Sequence, residues 1–254
     1  MAYFLEIFAL IFGLIIGSFL NCLIWRIYKE EGLNGRSYCP KCRQKISWYD
    51  NLPVLSFIFL RGQCRHCQQA ISWQYPLVEL ATALFFWLSL KQLSVAPQLA
   101  LWLAHHWLIV VTLIIVFVYD WRWQLIPVIA LWPLTAAIFF IDLGLGFTWW
   151  QIILFGLAGA GFFLIQYFLT KRRGIGEGDI WLGLFLGLAF LNVGDLLLIL
   201  FLAYTSGSIV SLSLLAIKKK GWRSKIALGP FLAFGAIITL IWGQKIITWY
   251  LGLF

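Results

Sequence analysis

Residues 3–27 read YFLEIFALIFGLIIGSFLNCLIWRI, a run in which Glu6 and Arg26 are the only charged side chains. A helix of this length crosses a hydrocarbon core of about 30 Å. The run exceeds the ~7–15 residues of a signal-peptide core and lacks a basic leader and an A-x-A cleavage site, so it is expected to persist as a membrane helix. Seven more apolar segments follow, roughly Tyr75–Leu90, Pro97–Tyr119, Leu125–Leu143, Trp149–Thr170, Ile180–Val193, Leu196–Ile217 and Pro230–Leu253. Ile180–Val193 is shorter than the ~17–25 residues of a tilted span, and Tyr75–Leu90 is marginal. Of 254 residues, 62% are hydrophobic and 11% charged, too little polar surface to cover a water-facing core. Leu-, Ile- and Phe-rich segments with tight connections argue for helices rather than a barrel. The expected fold is all-α: a polytopic membrane protein of about eight transmembrane helices with one small arm. Residues 1–28 form the first helix, 29–74 the arm and 75–254 a transmembrane core.

Charge orients this arrangement. Of the 19 Lys and Arg, only Lys91 and Lys245 fall near one face; the others lie in Arg26–Arg65, at Arg122, in Lys171–Arg173 and in Lys218–Lys225. With eight spans these four regions share one side, which the positive-inside rule makes cytoplasmic, with both termini outside. Omitting the sixth span would split the last two clusters between opposite faces. The net charge of +9 is then met by anionic lipid, and no nucleic acid is needed to explain it.

The arm holds Cys39-Pro-Lys-Cys42 and Cys64-Arg-His-Cys67. Two Cys-x-x-Cys pairs near zinc-ribbon spacing point to tetrahedral coordination by Cys39, Cys42, Cys64 and Cys67, with redox-active or free thiols as the alternatives. A reducing inner face disfavours a stable disulfide. So small an arm lacks a core, and a structural metal would supply its folding free energy. Four thiolates leave no need for His66, and Cys22 reads as packing.

The ten acidic residues sort by position. Glu6, Asp142 and Asp195 fall near outer ends of spans, where solvation suffices; Glu30 and Glu31 lie in the exposed arm, and Asp50 reads as a turn residue. Glu79, just inside the second span, needs a partner, either an arginine of the arm or a cationic substrate group. Asp120 ends the third span, and Asp179 opens the sixth after Gly174-Ile-Gly-Glu-Gly. Each alone suits a snorkelling or capping role. Together they fall at one membrane border, and Gly176 and Gly178 permit close backbone approach beside Asp179. Two carboxylates there could share a proton, one acting as base for a water and the other as acid for a carbonyl or a leaving amine. A helix dipole favours an anion at Asp179 and disfavours one at Asp120, which makes Asp179 the base and Asp120 the acid.

These features resemble the prepilin peptidase family, the leader peptidases and N-methyltransferases of type IV pilus, type II secretion and competence systems. The resemblance rests on Gly17-Ser-Phe-Leu-Asn21 with Ile24-Trp-Arg26, and on the arm block Tyr49-Asp-Asn-Leu-Pro-Val-Leu-Ser56 with Leu60-Arg-Gly-Gln-Cys-Arg-His-Cys67. It extends through Ile71-Ser-Trp-Gln-Tyr-Pro-Leu-Val-Glu79, Gly176-Glu-Gly-Asp179 and Gly229-Pro-Phe-Leu-Ala-Phe-Gly235. It implies that Asp120 and Asp179 are the catalytic aspartates of an inner-membrane peptidase whose active site faces the cytoplasm. The implied substrates are prepilin-like proteins cut between glycine and phenylalanine, and the implied methyl donor is S-adenosylmethionine. No adenosylmethionine site is legible, although the arm and Glu79 are candidate neighbours. Two positions depart from the family pattern: Val128 stands where an aspartate usually follows Ile126-Pro127, and Trp181 where a lysine often follows the second aspartate. A presenilin-like intramembrane protease would share the aspartate motifs without needing the arm. A transport or assembly factor would use the same carboxylates for protons or ion pairs.

Overall fold

The computed structural model describes residues 2–32, 34–93, 98–172, 174–217 and 227–253. Pro97, Arg173 and the basic stretch Lys218–Lys225, used above to place spans and faces, lie outside these residues. The described residues form nine α-helices: α1 (Ala2–Lys29), α2 (Leu55–Phe59), α3 (Gln74–Gln92), α4 (Leu99–Trp123), α5 (Val128–Gly144), α6 (Trp149–Leu169), α7 (Glu177–Phe190), α8 (Val193–Ala216) and α9 (Gly229–Leu251). Apart from the single-turn α2, each stands where an apolar span is expected. Helices α1, α4, α6, α8 and α9 are long and apolar enough to cross a membrane, and α5 is apolar but shorter. No extended strand interrupts the helical architecture among the described residues, only isolated bridges within the arm.

The chain divides into two compact units, residues 1–93 and 94–254. In the first, α3 packs on α1. Two glycines one turn apart on α1 set the approach: a Cβ on Gly13 would lie 2.5 Å from Ala83 Cα, and one on Gly17 would lie 2.6 Å from Glu79 Cα. Small residues at this spacing let membrane helices meet backbone to backbone, where dispersion replaces the missing hydrophobic drive. Polar ties hold both ends of the pair. Lys91 Nζ meets Glu6 at 2.5 Å, with Trp87 Nε1 donating to the same carboxylate at 3.1 Å, and at the other end Asn21 Nδ2 donates to the Tyr75 carbonyl at 3.0 Å. These ties fix α1 and α3 as antiparallel. Glu6 is therefore paired rather than merely solvated.

The second unit is a helical bundle in which α4 contacts α5 and α9, α7 contacts α5 and α6, and α8 contacts α9. Helices α6 and α7 also meet through glycine, since a Cβ on Gly187 would lie 2.1 Å from the Phe155 carbonyl oxygen. The rings of Trp132 on α5 and Trp181 on α7 stand 4.6 Å apart, so Trp181 packs helix on helix. One sequence expectation fails here. Asp142 near the end of α5 is not solvated: it is 0% exposed and faces His105 Nε2 of α4 at 3.1 Å. The reason is that an Asp at a helix end turns inward when a neighbouring helix offers a buried polar partner in place of water.

Candidate active site

Helix α4 does not stop before Asp120 but runs three residues further, closing at Gln124 with φ 55° and its N–H on the Asp120 carbonyl at 2.9 Å. Asp120 therefore lies on the last full turn with its side chain buried. Its Oδ2 accepts from the backbone N–H of Gly229 at 2.9 Å, at the start of α9. Only glycine allows this approach, because a Cβ on residue 229 would sit 2.4 Å from that oxygen. Asp179 lies in the first turn of α7 and reaches back so that its Oδ2 accepts from Gly176 N–H at 3.0 Å, satisfying one of the donors a helix start leaves open. A Cβ on Gly178 would lie 2.7 Å from Ile126 Cβ in the α4–α5 connection. That contact packs the Asp179 loop onto the chain leaving Asp120. The two aspartates are 4% and 8% exposed, and Asp179 lies within electrostatic range of Asp120.

The structure thus gathers Asp120, Asp179, Gly176 and Gly178 at one end of the bundle. It adds Gly229 and Ile126, to which the sequence reading assigned no role at the site. A Gly-Pro pair opening a span signals a helix start, but not which carboxylate that start faces. Further out, Tyr167 O–H donates to Glu177 at 2.7 Å, and Tyr204, within electrostatic range of Asp179, donates to Gln166 at 2.8 Å. One inference from the dipoles loses its basis. Asp120 ends α4 but also faces the N-terminus of α9, so both carboxylates meet helix N-termini and the dipole no longer separates acid from base. Val128 opens α5 without a capping side chain, where an aspartate would have placed a third carboxylate on a helix N-terminus.

In the first unit Glu79 is buried, and its Oε2 accepts from Val54 N–H at 2.7 Å, with Ser18 as a second hydrogen-bond partner. Val54 has φ 59°, a conformation that β-branched residues rarely adopt. Glu79 thus anchors the strained turn that launches α2.

The arm contains two knuckles of one design. In each, the residue four after the first cysteine is left-handed: Arg43 at φ 56° and Gln68 at φ 54°. Each donates its N–H to that cysteine's carbonyl at 2.9 Å. Isolated bridges Tyr38–Lys45 and Gln63–Ala70 close the two loops. The sulfurs of Cys39, Cys42, Cys64 and Cys67 all lie within 4.8 Å of one another, and Cys39 and Cys67 are 3.8 Å apart. Four sulfurs around a tetrahedral zinc, at about 2.3 Å each, stand about 3.8 Å from one another, so the set fits that ion. N–H groups of Cys67 and His66 draw the Cys64 thiol down to about 7. At Cys42 the Gln44 N–H pulls the same way, but desolvation and the neighbouring sulfurs outweigh it and push the thiol up to about 11. Such crowding suits four sulfurs that share a cation.

Comparison with known proteins agrees with this division. The bacterial peptidase A24 N-terminal domain matches residues 11–93, and the type IV leader peptidase family matches residues 107–212. A prepilin leader peptidase/N-methyltransferase of Aeromonas hydrophila is 33% identical over 98% of this chain and 94% of its own length. A protein of the same name from Bacillus subtilis strain 168 is 31% identical over 95% of this chain and 96% of its own, and one from Legionella pneumophila is 29% identical over 98% and 96%. No solved structure matches. Two domain matches in tandem, with relatives similar along almost the whole length, show that the chain is an aspartic peptidase of the type IV leader peptidase family.

Proposed function

We propose that this protein removes the leader of prepilin-like substrates at a glycine–phenylalanine bond, using Asp120 and Asp179 as a dyad at the cytoplasmic border of the inner membrane. The observation that supports this most is the pair of glycine-held aspartates: one N–H fixes one oxygen of each carboxylate, and the two lie within electrostatic range of each other. Like charges this close in a low-dielectric border cannot both ionise freely, so the dyad carries one shared proton. The ionised member takes a proton from water as its oxygen attacks the glycine carbonyl, and the protonated member gives its proton to the departing phenylalanine nitrogen as the C–N bond breaks. No acyl-enzyme forms. The substrate's hydrophobic segment would lie in the bilayer beside the helices, leaving the extended leader junction at the border.

The relatives' name also includes N-methyltransferase, and we propose that the new α-amine is methylated here. Such an amine, with an ordinary pKa of ~7.7–8.0, is partly neutral at neutral pH and nucleophilic as it stands, so positioning is the main requirement. S-adenosylmethionine would supply the methyl group; no residue of this chain is assigned to hold it. Zinc on Cys39, Cys42, Cys64 and Cys67 would contribute folding free energy and no chemistry, since four thiolates leave it no open position.

Membranes carrying the protein, incubated with a prepilin and isotopically labelled adenosylmethionine, are expected to yield by mass spectrometry a product lacking its leader and bearing one labelled methyl. Intact prepilin rejects the peptidase reading, and leader loss without a methyl rejects the transferase reading alone. Cleavage at other transmembrane sites, with the prepilin untouched, points to a general intramembrane protease.

A further inference from the structure

The first unit carries an apolar surface that neither the dyad nor the cysteine cluster uses. On the single-turn helix α2, Leu55, Ile58 and Phe59 are exposed, Phe59 at 81%. Trp73, immediately before α3, is 70% exposed, and its ring stands 4.8 Å from Phe57 of α2. Trp73 also heads a stripe on α3: Leu77, Leu80 and Leu84 follow at helical spacing and are all exposed. The face of α3 turned away from α1 therefore continues, through Trp73 and Phe57, onto the exposed side chains of the arm.

We propose that the arm lies on the bilayer, with Ile58, Phe59 and Trp73 inserted at the level of the headgroups and the surrounding cations on anionic lipid. Three observations favour lipid over a protein partner. The patch is continuous with the outward stripe of a helix expected in the membrane, so no water-facing gap separates the two. The arm leaves α1, a helix long and apolar enough to cross a membrane, at Lys29 and ends at Gln74 on α3, which packs along α1, and this holds the arm close to the surface. Residues 29–74 carry seven Lys and Arg against three acids, and Arg61, exposed and left-handed, follows Phe59 by two residues. A tryptophan at a helix end beside aromatic and cationic neighbours matches the composition of the bilayer interface. The Glu79–Val54 bond then has a purpose: it fixes the unusual turn that points α2 outward.

The test uses the full chain in vesicles of phosphatidylcholine and phosphatidylglycerol that contain a diazirine lipid with its reactive group near the headgroup. Irradiation and peptide mapping are expected to find adducts on residues 55–61 and on Trp73 as well as on Leu77 and Leu80. Adducts on α3 with none on residues 55–61 overturn the proposal. The double variant Ile58→Asp with Phe59→Asp is expected to keep its metal content, which reports a folded arm, while arm labelling drops about tenfold or more, as losing two inserted apolar side chains implies. Unchanged labelling in that variant also overturns it. Phosphatidylcholine alone should reduce arm labelling severalfold without changing that of α3. If instead a prepilin displaces the adducts from residues 55–61 and leaves those on α3, the patch belongs to the substrate and the membrane proposal fails.

Discussion

Helix α4 carries one member of each of two buried pairs, and they are built differently. Near its C-terminal end Asp120 receives, among the described residues, a single backbone N–H and stands within electrostatic range of Asp179. Fifteen residues earlier, about 22 Å along the helix axis, His105 faces the fully buried Asp142, and no other polar group among the described residues satisfies the Asp142 oxygens. The first pair is two carboxyl groups held in place by glycine N–H groups at helix starts. The second is an acid and a base closed against each other in an apolar wall. Chemistry needs the first arrangement, in which a carboxylate is positioned but not neutralised by a fixed partner. The second holds two helices together.

The largest effect expected from breaking this contrast is on catalysis. Asp120→Asn and Asp179→Asn should each lower prepilin cleavage by roughly 10²- to 10⁴-fold, the range of a lost general acid or base, with membrane insertion and zinc content unchanged. Near wild-type cleavage by either variant, measured in membranes of equal protein content, would show that the dyad is not the catalyst.

At the opposite end the prediction reverses. His105→Ala leaves Asp142 buried without its partner, and a buried polar group left unsatisfied costs about 1–3 kcal/mol. Thermal unfolding in detergent should show that loss, while cleavage per folded molecule stays at the wild-type level. His105→Leu with Asp142→Leu should recover most of the stability, because apolar side chains of similar size replace a buried polar pair at little cost. A single variant with unchanged melting would place the pair outside the bundle's energetics.

The ease with which the fold could be read follows from the same physics. Eight helices stand at the eight apolar segments because hydropathy is a local property summed over a stretch, and neither partners nor depth are needed to find it. The two Cys-x-x-Cys pairs were legible for a similar reason: a metal knuckle is written in four consecutive residues. What failed was pairing across helices. Asp142 reads as a solvated helix end until α4 supplies His105. Gly229 reads as a helix start until the backbone places its N–H on Asp120. The same Gly229 contact removed the dipole distinction between the two aspartates, because α4 alone does not show whose N-terminus lies opposite. Asp120 and Asp179 stand out in the sequence through border position, the glycine loop and the family resemblance, and their proximity is a property of the bundle.

Gly229 is the next lever. Gly229→Ala would place a Cβ 2.4 Å from Asp120 Oδ2, so the carboxylate must move away from the N–H that fixes it. Cleavage should fall by about tenfold or more, the cost of moving a reacting group by a fraction of an ångström to an ångström. Gly161→Ala, whose Cβ meets nothing within 4 Å, is the matched control and should cleave normally. Equal activity in both variants would mean that the glycine N–H does not position Asp120.

The smallest effect belongs to a third setting for a carboxylate. In the arm, Asp50 accepts from Arg65 Nε at 2.8 Å and Nη2 at 2.6 Å in a forked pair at the surface. That guanidinium holds the Asp50 carboxyl below its ordinary value of ~3.9. A carboxylate with a depressed value adds stability that is complete above its unfolded-state value and lost only as pH falls through the folded one. Its contribution is therefore constant from about pH 5 to 8, where Asp50 is ionised in folded and unfolded chains alike. Arg65→Ala should bind zinc as the wild type does at neutral pH and lose it to a chelator only slightly faster, a difference that closes in high salt because the Arg65 guanidinium is exposed and screened. A step in the difference between variant and wild type inside that pH window would mean that Arg65 acts through another group, and the contrast with the buried pairs would then rest on something other than solvent access.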